Sequence, residues 1–171
     1  PDLVCAGKTL AGGVLPLAAT LVAPQVVAAW DTADRAATFF HGHSFTAHPL
    51  ACAVGAANWR MLTNGVGAAP AMMERFWAQR LTPLGDRPGI KQVRIRGTIA
   101  AIEIDCPGGY LARVGGQMRR AGLERCVLLR PLGNVLYTMP PLCTSSGSLD
   151  QIAQTLEQVA GSVGSDESVS S

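Results

Sequence analysis

Leu3-Val4-Cys5-Ala6-Gly7-Lys8-Thr9-Leu10-Ala11-Gly12-Gly13 is the stretch on which the reading of this chain turns. Four apolar residues predict a short strand over 3–6, and the glycines predict a loop over 7–13. Lys8 has no other lysine near it in sequence until Lys91, and it stands on the turn that leaves the strand end. A lone amine in apolar surroundings is where a Schiff-base lysine is expected, because desolvation disfavours the ammonium and frees the nucleophile. The same pattern suits a surface lysine after an edge strand, and a Gly-Lys pair in a turn is a weak signal by itself.

Outward from this segment, 17–22 is a second candidate strand and 25–30 a short helix. Residues 38–48 show no period. Pro49 then stands at a first helical position, ahead of an Ala-rich run over 50–62 that Asn64-Gly65 closes. A second helix over 68–81 places Met72, Phe76, Trp77 and Leu81 at helical spacing. Pro83, Gly85, Pro88 and Gly89 break the chain, and the pattern changes. Residues 93–104 predict one strand, bent at Gly97, and 110–122 a helix. Residues 127–130 and 135–139 predict two strands joined through the turn pair Gly133-Asn134. Ser148 with Gln151 predicts a capping box for a last helix over 149–163. The domain reading is a first part over 1–64, a connecting helix in 65–84, an α+β unit over 85–163 and a fraying tail over 164–171.

The 171 residues are 48% hydrophobic and 15% charged, which is enough apolar content for a packed core and argues against disorder. The net charge of +2 is small and the basic residues are scattered, so no nucleic-acid partner is expected. No apolar run approaches the roughly 20 residues of a membrane helix, and no signal-peptide pattern opens the chain. Cys5, Cys52, Cys106, Cys126 and Cys143 are widely spaced and form no C-x-x-C pair. Reduced, mostly buried thiols in a cytoplasmic protein are the expectation. Pro1-Asp2 runs straight into a core-like strand, which reads as a chain cut from something longer.

Residues 41–49 are His-Gly-His-Ser-Phe-Thr-Ala-His-Pro and hold every histidine of the chain. Three imidazoles could serve a metal, but no cysteine or carboxylate accompanies them, and no metal is expected. Gly42, Ser44 and Thr46 offer backbone N–H and hydroxyl donors that suit an anion. They equally suit a tight loop whose hydroxyls cap the following helix. Arg130 ends an apolar run. Its guanidinium is either held in water above a buried stem or aimed into a cleft to grip a carboxylate. Tyr137, beyond the turn, could add a hydroxyl or could simply be core or rim.

The Pro1 to Gly13 stretch resembles the Schiff-base segment of the class-III, pyridoxal-phosphate-dependent aminotransferases. His41-Gly42-His43-Ser44-Phe45 with His48-Pro49-Leu50-Ala51-Cys52-Ala53 is similar to that family's phosphate-contacting loop and the helix after it. Arg130-Pro131-Leu132-Gly133-Asn134-Val135-Leu136-Tyr137-Thr138-Met139-Pro140-Pro141 is the more selective match. It resembles the carboxylate-binding segment of the family's biotin-pathway members, whose amino acceptor is 8-amino-7-oxononanoate and whose donor is S-adenosylmethionine or, in some, lysine. The three matches fall in the family's order and span nearly the whole chain.

The resemblance implies that Lys8 carries pyridoxal 5'-phosphate. Ser44, at a position usually threonine, would contact the cofactor phosphate of a partner subunit, with His43 beside it where some members have proline. Gly42 would lie against the substrate. Arg130 would pair with the substrate carboxylate, and Tyr137 would stand near that pocket. His48 stands where asparagine is common, which puts a polar role there in doubt. The implied fold is α/β, the C-terminal part of a fold type I transferase: the end of the large-domain sheet followed by a small α+β domain. A homodimer with its active site at the interface is implied, with small molecules as substrates. The aspartate that pairs with the cofactor's ring nitrogen would precede Lys8, and Asp2 is too close to Lys8 to be that residue. The 171 residues alone are therefore expected to be inactive. Another class-III aminotransferase acting on an amine or ω-amino acid, and a non-catalytic module that kept the fold, are the alternatives.

Overall fold

The structure, a computed structural model, describes residues 1–164, and they form two compact units, Pro1–Gly67 and a second beginning at Ala68. The fraying expected of the tail falls, beyond Gly164, outside the described residues.

In the first unit, β1 (Leu3–Ala6) pairs antiparallel with β2 (Ala19–Val22), with Leu3 opposite Val22 and Ala6 opposite Ala19. A 3-10 turn, Lys8–Ala11, follows β1, and a four-residue helix α1 (Pro24–Val27) follows β2. α2 (Pro49–Asn64) starts at the proline because its missing N–H is one that the first turn leaves unpaired anyway. His48 caps this helix: its Nδ1 accepts the Ala51 N–H at 3.3 Å. The polar role that the resemblance put in doubt at His48 is thus filled, since an imidazole nitrogen accepts from an orphan helix N–H. Gly55 gives α2 a bare face, where a Cβ would lie 2.8 Å from the Leu17 side chain and 3.6 Å from the Leu10 carbonyl. Ala11 and Ala51 are buried here, whereas Leu3, Val4, Leu21, Phe39, Phe40 and Phe45 are exposed.

The second unit is a three-stranded antiparallel sheet, order β3-β4-β5, covered by helices. Its elements are α3 (Ala69–Leu81), β3 (Ile90–Arg96), β4 (Ile99–Ile104), α4 (Val114–Leu123), β5 (Val135–Thr138) and α5 (Ser146–Gly164). Met73, Trp77 and Leu81 of α3 meet Ile102 and Ile104 of β4, Leu136 of β5, Met118 of α4 and Leu156 and Val159 of α5 in one core. The helix expected as a connector therefore supplies core to this unit. Its buried methionine is Met73, while Met72 faces outward at 57% exposure.

The structure corrects four local expectations. Residues 93–104 are not one bent strand but a hairpin, because Gly97 at φ 57° begins a two-residue turn with Thr98. α3 holds that turn, with Glu74 accepting the Gly97 N–H at 2.7 Å and Trp77 Nε1 donating to Thr98 O at 3.2 Å. Residues 127–130 form no strand. Cys126 turns the chain at φ 58°, Leu129 packs onto Gly122, and Pro131 has no N–H for a ladder; β5 pairs with β4 instead. The last helix starts at Ser146, because Ser145 Oγ accepts the Ser148 N–H at 3.2 Å, while Gln151 Nε2 reaches Arg125 O at 3.4 Å. The thiols are not mostly buried: Cys5, Cys52, Cys126 and Cys143 are exposed and Cys106 is half-buried. Small size and apolar neighbours in sequence do not fix which face of a strand or helix a cysteine takes.

Candidate functional site

Lys8 opens the 3-10 turn with φ 47°, a left-handed conformation that a residue with a Cβ seldom adopts. Gly7 precedes it fully extended, and Gly12 and Gly13 follow at φ 60° and 81°. Leu10 N–H donates to Gly7 O at 3.2 Å and Gly12 N–H to Thr9 O at 3.2 Å, closing the turn. Asn58, in the middle of α2, adds two bonds: its Nδ2 donates to Thr9 O at 2.6 Å and to Leu10 O at 3.2 Å. The apolar surroundings expected of Lys8 are not found among the described residues. The side chain is exposed, because the two-stranded pair that leads into it has both faces largely uncovered. Asn58 was missed by sequence reasoning. The only signal was a lone amide within an Ala-rich run, and nothing local says that it faces a turn 49 residues earlier.

Gly42, His43 and Ser44 share one loop of the same unit. Its fold comes from Thr46, whose Oγ1 accepts the His43 N–H at 2.9 Å while its own N–H donates to His43 O at 2.9 Å. His43 Nδ1 accepts the Phe45 N–H at 3.1 Å, so in the neutral ring the proton sits on Nε2. Neither the Ser44 hydroxyl nor the Thr46 hydroxyl caps α2, which is the work of His48. The Ser44 N–H and hydroxyl make no hydrogen bond among the described residues. At Gly42 the nearest side-chain atom to an added Cβ is Thr46 Oγ1, 3.8 Å away. Among the described residues no cluster of His, Cys, Asp or Glu is arranged to hold a metal ion. Asp2 is engaged elsewhere, accepting from Gln25 Nε2 at 3.0 Å.

Arg130 and Tyr137 belong to the second unit. Arg130 follows buried Leu129, is itself exposed, and has no ion pair or hydrogen bond among the described residues. It lines an open depression with Gly115, Gly116, Arg119, Leu128 and Pro131. By contrast, Arg80, buried in part between α3 and α5, holds Glu157 and Asp150 at 2.9 Å each. The turn that follows Arg130 is firmly built. Leu132 and Val135 exchange two backbone bonds of 2.9 Å around Gly133 at φ 59°. Gly133 lies so close under the Tyr110 carbonyl that no Cβ fits. Buried Asn134 then bonds Ile104 twice, donating from Nδ2 to its carbonyl at 2.7 Å and accepting its N–H at 2.9 Å. Tyr137 is half-buried in β5 opposite Ala101 and is not hydrogen-bonded to Arg130. Sequence reasoning singled out Gly133-Asn134 as a turn pair but missed Asn134 as the side chain that anchors it.

Chemically, the first unit presents an exposed primary amine and a loop with two unused anion donors; the second presents an unpaired guanidinium. No helix among the described residues is long and apolar enough to cross a membrane. Residues 1–160 match the family model described as Aminotransferase class-III. The chain is 38% identical over 153 residues to an adenosylmethionine-8-amino-7-oxononanoate aminotransferase of Synechococcus elongatus, covering 89% of this chain and 36% of that protein. It is 31% identical over 166 residues to an omega-aminotransferase of Caulobacter vibrioides, covering 95% and 38%. The crystal structure of adenosylmethionine-8-amino-7-oxononanoate aminotransferase from Methanocaldococcus jannaschii superposes with a TM-score of 0.82 at 26% identity, over 95% of this chain and 39% of that one. The chain thus spans little more than a third of the length of the relatives it matches.

Proposed function

The chain belongs to the class-III aminotransferase family, and from that premise we propose that it is the C-terminal part of an adenosylmethionine-8-amino-7-oxononanoate aminotransferase of biotin synthesis. In this reading the first unit closes the large cofactor-binding domain, and the second is the small C-terminal domain. The observation that carries the substrate assignment is the placement of Arg130, exposed at the rim of an open depression and followed by a glycine–asparagine turn, in a segment similar to the family's carboxylate-binding one. The protein is expected to be cytoplasmic and homodimeric.

Pyridoxal 5'-phosphate fits the residues present. Lys8 offers an accessible amine for its aldehyde, and Ser44 an unpartnered N–H and hydroxyl for its phosphate, with His43 beside it. When bound, the cofactor supplies an electron sink for the charge that develops on the reacting carbon. The rest falls to side chains of this chain. Lys8 would hold the cofactor through its Nζ in the absence of substrate. With substrate bound, its Nζ would take the proton from the donor's amine-bearing carbon and, in the second half-reaction, return a proton to the former keto carbon of the acceptor. Ser44 serves the neighbouring subunit's phosphate. Arg130 holds the carboxylate of 8-amino-7-oxononanoate, with Tyr137 at the edge of the pocket and Gly42 backbone against the substrate. In the first half-reaction the donor, S-adenosylmethionine, would give up its amino group and take up water to leave as the 2-oxo acid; in the second that amino group would replace the keto oxygen, released as water, and the acceptor would leave as 7,8-diaminononanoate.

Replacing Lys8 by Ala in the whole protein should abolish covalent cofactor attachment; retained attachment would sink the assignment. Turnover with 8-amino-7-oxononanoate should exceed turnover with simple keto acids, and Arg130→Ala should raise KM for the former by roughly 100-fold, as loss of a charge-assisted pair of about 2–3 kcal/mol requires. A preference for simple keto acids would favour the second reading, an ω-amino acid aminotransferase, which the Caulobacter relative supports. The 171 residues alone should show no transamination. Their first unit exposes Leu3, Val4, Leu21 and three phenylalanines, apolar surface of the kind a finished active-site domain covers.

A further inference from the structure

We propose that Asn58 is the positioning residue of Lys8: by donating to the Thr9 and Leu10 carbonyls, its carboxamide fixes the left-handed turn that aims the amine. The inference rests on the reading of Lys8 as cofactor anchor. A non-glycine residue at φ 47° persists only where its surroundings over-determine it. Backbone bonds alone do so incompletely here, because Leu10 O receives its hydrogen bond, among the described residues, from Asn58 only. Thr9 O takes both the Gly12 N–H and the Asn58 amide, so the two residues after the lysine are tied to α2.

The two bonds use what a carboxamide offers. Its NH2 carries two hydrogens that diverge to two carbonyls; aspartate has none, and serine or alanine does not reach. The geometry is complementary on both sides. Asn58 Oδ1 lies 3.1 Å from where a Cβ of Gly12 would be, and one turn earlier on the same face Gly55 lets the helix approach Leu10 and Leu17. The same helix is capped by His48, directly after the loop that carries Ser44. α2 therefore holds the lysine turn at its middle and the candidate phosphate loop at its start.

The test uses the whole protein and three variants: Asn58→Asp, of equal shape without donors, Asn58→Ala, and Thr63→Ala. Thr63 sits on the same helix, and among the described residues its hydroxyl donates only to the Trp59 and Arg60 carbonyls behind it. In the cofactor-free protein, exchange of the Leu10 and Gly12 amides should accelerate about tenfold or more in both Asn58 variants, as loss of two hydrogen bonds implies. The rate of covalent pyridoxal phosphate attachment, followed by absorbance, should fall by a similar factor, and the pH midpoint of that absorbance should move. Thr63→Ala should match the wild type in all three. Unchanged exchange, attachment and midpoint in Asn58→Asp would overturn the proposal. So would loss of the fold in both Asn58 variants, which would make the residue a stability element. If Lys8→Ala still attaches cofactor, it is the anchor reading that fails. If Lys8→Ala abolishes attachment and the Asn58 variants behave as wild type, only the role of Asn58 fails.

Discussion

The two units divide core and chemistry unequally. The second buries Trp77, Leu81, Ile102, Ile104, Met118, Leu136, Leu156 and Val159 almost completely. Among the described residues, the fully buried apolar side chains of the first are alanines, Ala11 and Ala51; Leu10, Leu17, Val22 and Leu62 are half-buried, and Leu3, Val4, Leu21 and three phenylalanines stand exposed. Yet the first unit holds Lys8, its left-handed turn and the Ser44 loop. A unit can leave its own core thin when glycines, a helix cap and a carboxamide clamp set the backbone. A clamp of that kind sets local geometry, but hydrophobic burial supplies most of the folding free energy.

The largest effect should come from separating the units. Residues 68–171 expressed alone should melt cooperatively with near-ultraviolet circular dichroism, and residues 1–67 should show neither property. A cooperative transition in 1–67 would break the contrast. Next in size is a matched pair of tryptophans. Trp77 is fully buried and Trp59 is 62% exposed. Trp77→Ala should cost the second unit about 3–5 kcal/mol. Trp59→Ala should change stability by less than about 0.5 kcal/mol in this chain. Denaturant midpoints measure both, and similar losses would show that the first unit has a core the exposure pattern does not reveal.

Asn134 tests the same contrast within the second unit, where clamp and core coincide. Its amide donates to a buried carbonyl of β4, so Asn134→Ala leaves Ile104 O unpaired and should cost about 1–3 kcal/mol. Asn134→Asp should cost more, since a carboxylate would then face that carbonyl. If Asn134→Ala lowered stability but left KM for the keto acid unchanged, the turn would serve folding and not Arg130.

Period and punctuation made much of the fold legible. Pro49 and Asn64-Gly65 bounded α2, and the spacing of Trp77 and Leu81 gave the core face of α3. The errors lie where a long-range partner decides. The hydrophobic run 127–130 looks like a strand, but Leu129 packs against Gly122 and β5 finds its ladder in β4, over 30 residues upstream. Gly97 suggests a bend locally; only the grip of Glu74 and Trp77 makes it a hairpin turn. Among the candidate residues, the sequence singled out Lys8 and Ser44 in the first unit and Arg130 in the second by residue type and by the resemblance they carry. The amides that hold the turns beside Lys8 and Arg130, Asn58 and Asn134, were not legible, because a clamp is recognisable only beside the carbonyls it binds.

The smallest expected effect concerns surface charge on the β3–β4 hairpin. Lys91 Nζ lies 2.8 Å from Glu103 Oε1, and Arg94 Nη1 lies 2.6 Å from Oε2. The hydrogen bond from Lys91, and after it that from Arg94, hold the Glu103 carboxyl below its ordinary range. A carboxylate whose folded value is depressed stabilises the fold above its unfolded value, near 4.3, and loses that contribution as pH falls through the folded one. Glu103→Gln should therefore lower the denaturant midpoint slightly at pH 7, and the difference from wild type should shrink toward pH 3. Salt should shrink it too, because exposed pairs are screened. Since Lys91 is the larger cause, Lys91→Met should weaken the acid dependence more than Arg94→Met. A midpoint difference that stayed constant from pH 7 to pH 3 would mean that Glu103 acts through packing on the sheet and not through its charge.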